Sequence, residues 1–252
     1  MSKEVAVTEK AGLPAILNFA EDCGAGFENT TSQDYAIPFL RMLQSGSPQA
    51  KKKDPEYVEG AEEGDLINTV TMRLYKGDEG ITVIPVYYAH KYNLWAQNRG
   101  GFRGSWTTDE YANAKKQMIE ISTQNGPKTV EADMDGNIIT DTREHYVIIV
   151  NRDGSTSQAL IALSSSQLKK SRKWMTVMGE IKINNQAAPM FSQMYKITSI
   201  GEKNDQGSWC GFNIVHEGAI TSPDLYMAAK SFHALIKAGS IRVTQPEGEE
   251  AF

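Results

Sequence analysis

The sequence has few cysteines and no long apolar run, and both shortages narrow the class of protein. Only Cys23 and Cys210 occur in 252 residues, without a CxxC pair or nearby Cys/His partners. This spacing excludes a zinc site and a disulfide framework. No run of eighteen apolar residues spans a membrane, and the first residues have no apolar signal core. We therefore expect a cytoplasmic protein.

Motifs of catalysis and metal binding are also missing. The sequence contains no P-loop, HExxH, GxSxG or dinucleotide fingerprint, and its four histidines have no ligand spacing. Asp133 opens a stretch that resembles a calcium loop, with Glu144 at position twelve, but the glycine stands at position four instead of six. We predict a turn there. We expect no enzymatic activity, no cofactor and no metal.

Negative charge is concentrated at the two ends of the chain. Residues 1–64 carry six basic and eleven acidic side chains, residues 65–240 carry nineteen and seventeen, and the last twelve carry one and three. The middle is therefore mildly basic although the net charge is −5. A phosphate-binding face needs local positive charge rather than a basic protein, so nucleic acid is not excluded.

Three regions differ in composition. Residues 1–33 predict a weakly ordered leader, residues 34–240 a single domain, and residues 241–252 a flexible acidic tail. In the domain, β-branched and aromatic runs predict strands at 66–75, 80–95, 145–150, 157–163, 191–200 and 209–216.

Three segments are predicted to be helical, the last two of them from capping signals. We expect a short helix over 111–123, a second from the serines at 164–166 to about Glu180, and a third that Ser222-Pro223-Asp224 opens and Gly239 ends. The predicted class is α+β, mainly β. It corresponds to a partly closed antiparallel barrel of the oligonucleotide-binding (OB) type, with insertions, an embedded helix and a C-terminal helix.

One segment combines aromatic rings with cations and has no acidic residue from position 81 to 108. Unpaired bases need flat rings to stack on, and the phosphates between them need positive charge. The segment therefore predicts a single-strand interface. The alternative is that the rings fill a core, as aromatic residues in strands commonly do. The candidate residues are Tyr87, Tyr88, Lys91, Tyr92, Trp95, Arg99, Phe102, Arg103 and Trp106.

Two further features carry charge. Lys169, Lys170, Arg172 and Lys173 can follow a phosphate backbone, or they can simply form a solvated helix face. At the C-terminus, Glu247, Glu249 and Glu250 precede Phe252. An acidic, aromatic-ended tip predicts a docking signal for a protein partner, and the alternative is a frayed end.

Short motifs resemble a family of tailed-phage proteins described as single-stranded DNA-binding proteins. They are IPFLRMLQ from Ile37, SPQ from Ser47, PEYVEGA from Pro55, GD at Gly64, and VIPVYY from Val83 with Trp95, and the resemblance covers about residues 24–110. Separately, the ending EEAF is similar to the tails of bacterial and T7-type single-strand binders. That resemblance implies contacts with a polymerase, a helicase or a recombination factor in the host cytoplasm.

These observations favour a protein of phage replication or recombination that coats single-stranded DNA and recruits partners through its tail. A variant of this function is the annealing of complementary strands. The alternative is a protein-interaction module, such as a host-takeover or virion-associated factor, in which the aromatic patch binds protein. We expect no membrane partner, and the sequence is compatible with a homo-oligomer.

Overall fold

The computed structural model describes residues 21–31, 34–97, 100–123, 126–205 and 207–239. Its strands are β1 (Leu40–Met42), β2 (Leu66–Asn68), β3 (Leu74–Tyr75), β4 (Ile81–Trp95), β5 (Phe102–Trp106), β6 (Gln117–Thr123), β7 (Gly126–Ala132), β8 (Ile138–Val150), β9 (Thr156–Ser164), β10 (Lys182–Ile183), β11 (Gln186–Ala187), β12 (Gln193–Asn204) and β13 (Gly207–Ala219). The helices are α1 (Thr108–Asn113), α2 (Leu168–Glu180) and α3 (Pro223–Lys237).

A long antiparallel pair, β4 with β8, forms the centre of the main sheet. It runs from Thr82 opposite Val150 to Trp95 opposite Ile138. At the start of β4 the strand order is β13-β12-β4-β8-β9, and at its end the order is β5-β4-β8-β7-β6. The main sheet therefore has different outer strands at its two ends, which share the β4–β8 pair, and all of these pairings are antiparallel.

The register of β4 shifts at Val86, between Pro85 and Tyr87. Proline has no backbone N–H to donate to the ladder, so a bulge beside it disrupts little pairing that could otherwise form. Beyond the bulge, alternation places Tyr88 and Tyr92 on one face and Tyr87 on the other.

Each face of the sheet is covered by one long helix. Trp174 and Met178 of α2 pack with Val83, Val147 and Ile161 in one buried cluster. Ala229 and Phe232 of α3 pack with Ile84, Ile148 and Leu160 in another. We call these the α2 face and the α3 face. Because β4, β8 and β9 contribute to both clusters, their near-continuous apolar sequences follow from burial on two sides.

The small sheet β1-β2-β3 packs close to β12 through glycine. The Ser199 N–H donates to the Gly77 carbonyl, and the Gly77 N–H donates to the Asp65 carboxylate at 3.1 Å. A Cβ on Gly77 would collide with the Gly64 carbonyl and with the Ser199 Cβ. The absence of a side chain at this position therefore permits the close approach.

The helix α3 follows its predicted capping signals. Ser222 Oγ accepts from the Leu225 N–H, Pro223 occupies the first turn of α3, and Gly239 follows its end with φ +66°. The helix α2 runs to Glu180 as predicted, but it begins at Leu168 after a 3-10 turn over Ser165–Gln167, and neither Ser164 nor Gln167 at the cap positions forms a side-chain capping hydrogen bond. The turn at Asp133 is also confirmed, since its carboxylate accepts from the N–H groups of Asp135 and Asn137.

Four expectations about the fold are corrected. The strand expected over residues 66–75 is instead two short strands, β2 and β3, which pair with each other antiparallel. The mainly β, antiparallel class is confirmed, but the described strands do not close into a barrel, because β13 and β6 each pair on one side only. The helix expected over 111–123 is instead the short α1 followed by the strand β6. The glycine-rich stretch after Trp95 contains the strand β5, which the sequence did not indicate.

No helix in the described part of the chain is long and apolar enough to cross a membrane. The predicted tail at 241–252 and most of the predicted leader at 1–33 lie outside the described residues.

Candidate nucleic-acid interface

The aromatic-basic segment occupies β4 and β5, and their register divides its rings between the two faces. Tyr92 lies opposite Trp106 in the β4–β5 pair, so these two side chains share a face. Tyr88, four residues before Tyr92 on the same strand, shares it too. Tyr88 is connected to α2 through His145. The ring centroids of Tyr88 and His145 are 5.2 Å apart, and the His145 ring stacks on that of Trp174 in α2 with centroids 4.5 Å apart. The shared face is the α2 face.

Tyr92 stacks on a residue that the sequence did not suggest. Its ring lies parallel to that of Tyr111 in α1, with centroids 3.6 Å apart and planes 4° from parallel. The Lys116 ammonium sits 4.0 Å from the Tyr111 ring centroid. A hydrogen bond from the Tyr111 hydroxyl to Glu131, at 2.7 Å, raises the pKa of Tyr111 to about 12. One face of the Tyr92 ring is therefore occupied within the chain.

The position of α1 has a local origin. Thr107 and Glu110 form a reciprocal capping box, in which the Thr107 hydroxyl accepts from the Glu110 N–H and the Glu110 carboxylate accepts from the Thr107 N–H. The sequence Thr-Thr-Asp-Glu carries this signal. Because this signal marks the start of α1, it could have placed Tyr111, one residue after Glu110, on a helix from sequence alone.

Charged side chains on the same surface are partly paired. His90 Nε2 lies 2.9 Å from Asp141, and the Arg143 guanidinium donates to the other oxygen of Asp141 at 3.1 Å. A cleft of about 240 Å³ opens beside them, where β7 leaves β8, and Lys128, Glu131, Asp141 and Ser165 are among the residues that line it. Both signs of charge therefore meet at this end of the α2 face.

The remaining rings of the segment lie on the α3 face. Trp95 is 6 % exposed and meets Phe102 edge-on at 5.5 Å, in a cluster with Val130 and Ile138. Tyr87 packs against Tyr146 and His233, both with ring centroids 6.0 Å away. A sealed ring offers no surface to a base, so Trp95 is a core residue rather than a stacking platform, while the half-buried Phe102 has one side of its ring packed against Trp95.

Lys91 also belongs to the α3 face by alternation and lies near Glu144. Burial raises the pKa of the Glu144 carboxyl, and the charge of Lys91 opposes that rise. Arg103 is exposed at the bulge of the β4–β5 pair. Arg99 and the tail residues Glu247, Glu249, Glu250 and Phe252 lie outside the described residues.

The basic cluster of α2 divides into two pairs. Lys169 and Lys170 both approach Glu202 of β12, with nitrogen–oxygen distances of 3.5 and 2.9 Å. Arg172 and Lys173 are exposed and form no ion pair with any described residue. The first pair therefore anchors α2 to the sheet, while the second remains available to an external anion.

Glu202 is the centre of that anchor. It also accepts hydrogen bonds from Gln167 and from the Trp209 indole, at 3.1 and 3.0 Å. Burial opposes its ionisation, but the hydrogen bonds from Lys170, Gln167 and Trp209 outweigh burial and lower the pKa to about 2.

The fold and the site together define a class of protein: an open antiparallel β protein with half-buried aromatic side chains and a basic helix on one face of its sheet. The chain belongs to the family of Pam3 phage gp34-like proteins, whose family model matches residues 6–242. The expectation of a phage protein family is thus confirmed. No curated protein and no solved structure matches the chain.

Proposed function

We propose that the protein binds single-stranded DNA on the α2 face of its sheet. One observation carries the proposal: Tyr88, Tyr92 and Trp106 share that face with the helix α2, whose exposed residues include the cations Arg172 and Lys173. These two groups of residues are far apart in sequence. Side chains that stack and cations that contact phosphates are the two components of a single-strand interface.

The geometry narrows the set of residues that act in this proposal. Trp106 is half-buried and has no ring contact with a described aromatic residue, so it is the strongest candidate for stacking. Tyr88 and Tyr92 each offer part of a ring. Among the candidate cations, Arg103, Arg172 and Lys173 are exposed and lie outside the Glu202 anchor, whereas the buried Trp95 and the half-buried Phe102 and Tyr87 pack against neighbouring rings.

The proposal extends to phage replication or recombination in the host cytoplasm, with binding rather than catalysis as the activity. Glu247, Glu249, Glu250 and Phe252 would recruit a replication or recombination protein. Negative charge beside an aromatic anchor suits a basic, apolar pocket on such a partner. Deleting residues 247–252 should abolish capture of that partner and leave DNA affinity equal or higher, because the deletion removes negative charge.

The test is a titration of labelled oligo-dT with the full chain at several salt concentrations, followed by fluorescence anisotropy. Two to four phosphate contacts predict a slope of about −1.5 to −3 in log Kobs against log salt, from roughly −0.7 per contact on single strands. The double variant Arg172→Gln, Lys173→Gln should lower the magnitude of that slope by about 1 to 1.5.

A matched control uses the two exposed lysines of α3, on the opposite face. Lys230→Gln, Lys237→Gln removes the same number of charges and should leave the slope unchanged. The proposal fails if the chain does not bind oligo-dT at low salt, or if both double variants alter binding equally.

A second candidate function is a protein-interaction module. The observation that favours it is the strand β13, thirteen residues long, which pairs within the described chain only with β12 and exposes Val215. An unpaired strand edge can accept a strand from a partner. Capture of one stoichiometric host protein that persists after nuclease treatment, with no affinity for oligo-dT, would favour this function.

A further inference from the structure

The outer edge of β13, on the side away from β12, is capped by side chains along part of its length. The Cys210 N–H donates to Gln44 Oε1 at 2.9 Å, and the Cys210 carbonyl accepts from Gln44 Nε2 at 3.0 Å. The Phe212 N–H donates to Gln167 Oε1 at 3.2 Å. A further strand would need these same backbone groups for pairing. The chain therefore blocks its own sheet edge as far as Phe212.

The edge is open beyond Phe212. The pairing with β12 is regular from Phe212 to His216, so alternation turns the backbone N–H and carbonyl of Ile214 to the same outer side as the N–H groups of Cys210 and Phe212. No side chain of the described residues caps Ile214 there. Val215 is 51 % exposed, and His216 is exposed as well. An uncapped stretch of strand edge is a template for pairing with another chain.

A cavity of about 80 Å³ lies beside this open stretch, between β13 and α2. Val177 of α2 and Phe212 and Ile214 of β13 give it apolar walls. A strand added next to Ile214 would turn every second side chain toward α2 and this cavity. The cavity has roughly half the volume of one of about 150 Å³ that holds benzene, so it suits an aliphatic side chain rather than an aromatic ring.

The charge at the cavity is positive. Lys173 is exposed and forms no ion pair with a described residue, and no lining residue in the described part of the chain is acidic. An acidic side chain of an incoming strand would therefore meet an unpaired cation beside the cavity.

A second copy of the chain fits this surface poorly. Two β13 edges that pair antiparallel are related by a two-fold axis perpendicular to the sheet, which puts both α2 helices on the same face. The two Lys173 side chains would then lie on either side of that axis, and like charges that face each other across an interface are unfavourable. The positive charge instead favours a partner that supplies an acidic residue.

We propose that the open edge from Ile214 to His216, together with the cavity between β13 and α2, binds an extended segment of a protein partner as an added strand. The segment carries an aliphatic residue, which fills the cavity, and an acidic residue two positions away, which pairs with Lys173. Backbone hydrogen bonds to Ile214 contribute affinity, and the two side chains contribute selectivity. The site goes beyond single-strand binding and is tested without DNA, so its outcome does not depend on that function. It also specifies which part of β13 and which partner chemistry the second candidate function would use.

The experiment selects peptides from a random octapeptide library displayed on beads, with the nuclease-treated full chain as bait. Peptides that carry an aliphatic residue two positions from Asp or Glu should be enriched. Methylation of one alternate set of backbone amides in a selected peptide should abolish its binding, whereas methylation of the other set should not, because an added edge strand pairs on one side only.

Variants of the chain test the charge and the strand edge separately. Lys173→Glu should weaken binding of the selected peptide at least about tenfold, whereas Lys230→Glu on α3 should leave it unchanged. Ile214→Pro removes an outward N–H without breaking a hydrogen bond to β12, a change that edge strands tolerate, and it should abolish binding. If Ile214→Pro disturbs the fold, Lys173→Glu and the methylated peptides still decide the question.

Three results would each overturn the proposal. The first is no enrichment of the aliphatic and acidic pattern among the selected peptides. The second is binding that survives Lys173→Glu or both methylations. The third is a dimer of the wild-type chain in sedimentation experiments that dissociates on Ile214→Pro, because a second copy would then occupy the edge.

Discussion

His145 lies against Trp174 with their ring centroids 4.5 Å apart and their planes 21° from parallel. His145 is fully buried in β8, and its Nε2 is 2.8 Å from the Ser171 hydroxyl of α2. The contact between His145 and Trp174 joins the β4–β8 pair to α2, the helix that carries Arg172 and Lys173. The buried imidazole of His145 therefore lies between Tyr88 of the sheet and Trp174 of α2 and contacts both.

The first prediction is a loss of stability in mild acid. Burial lowers the pKa of His145 to about 3, while an unfolded histidine titrates near 6.5. Below pH 6.5 His145 becomes protonated in the unfolded chain but stays neutral in the folded protein. The free energy of unfolding therefore falls as the pH decreases toward 3. The loss from this residue should reach about 2 kcal/mol at pH 5.

Urea unfolding at pH 7 and pH 5 measures this effect. The variant His145→Phe should be less stable than the wild type at pH 7, because it loses the bond to Ser171, but should lose less stability on acidification. Identical pH dependence of the two proteins would contradict the assignment.

The second prediction concerns the anchor of α2. Glu202 has its pKa lowered to about 2, so its stabilisation is fully present above its unfolded pKa near 4.5 and is lost as the pH falls toward 2. Glu202→Gln should cost about 1–3 kcal/mol of unfolding free energy at pH 7. The difference from the wild type should stay constant from pH 7 to 5 and shrink below pH 4.5. A difference that already shrinks between pH 7 and 5 would argue against this carboxylate as the source.

Sequence reasoning succeeded where the signals are local. The boundaries of α3 follow from Ser222, Pro223 and Gly239, whose capping geometry involves only adjacent residues. The strands β4, β8, β9, β12 and β13 were indicated by their β-branched and aromatic runs, although β8 begins at Ile138, before the predicted segment. Burial on both faces explains why those runs are nearly continuous.

Long-range pairing accounts for what sequence reasoning missed. Whether a sheet closes depends on contacts between distant edges, and no local pattern specifies that β13 and β6 stay unpaired on one side. The residues of β6 alternate between half-buried and exposed, which is the pattern of a strand. The predicted helix over 111–123 wrongly included them together with the end of α1. In the site, alternation separates Tyr87 from Tyr88, but only the packing of α2 and α3 shows what covers each face.

The third prediction separates the two tryptophans of the aromatic segment. Trp95→Ala should destabilise the protein by about 3–5 kcal/mol, because it removes a sealed ring from the cluster with Phe102. Trp106→Ala should cost less stability, because Trp106 is half-buried. If single-strand binding is correct, Trp106→Ala weakens oligo-dT binding by about 1–3 kcal/mol. Thermal unfolding and anisotropy on both variants provide the measurement, and the reverse order for either property would contradict the division of the faces.

The fourth prediction tests the close approach of the small sheet to β12. Gly77→Ala should destabilise the protein by about 1–3 kcal/mol, because its Cβ would meet the Gly64 carbonyl and the Ser199 side chain, and backbone cannot move aside cheaply. Gly179→Ala is the matched control: it lies in α2 with nothing within 4 Å of an added Cβ. Alanine favours a helix interior by about 0.5–1 kcal/mol over glycine, so this variant should be slightly more stable than the wild type. Chemical denaturation of both variants gives the comparison. Equal stability of the Gly77→Ala protein and the wild type would mean that the turn after β3 does not approach β12 as closely as the hydrogen bond from the Ser199 N–H to the Gly77 carbonyl requires.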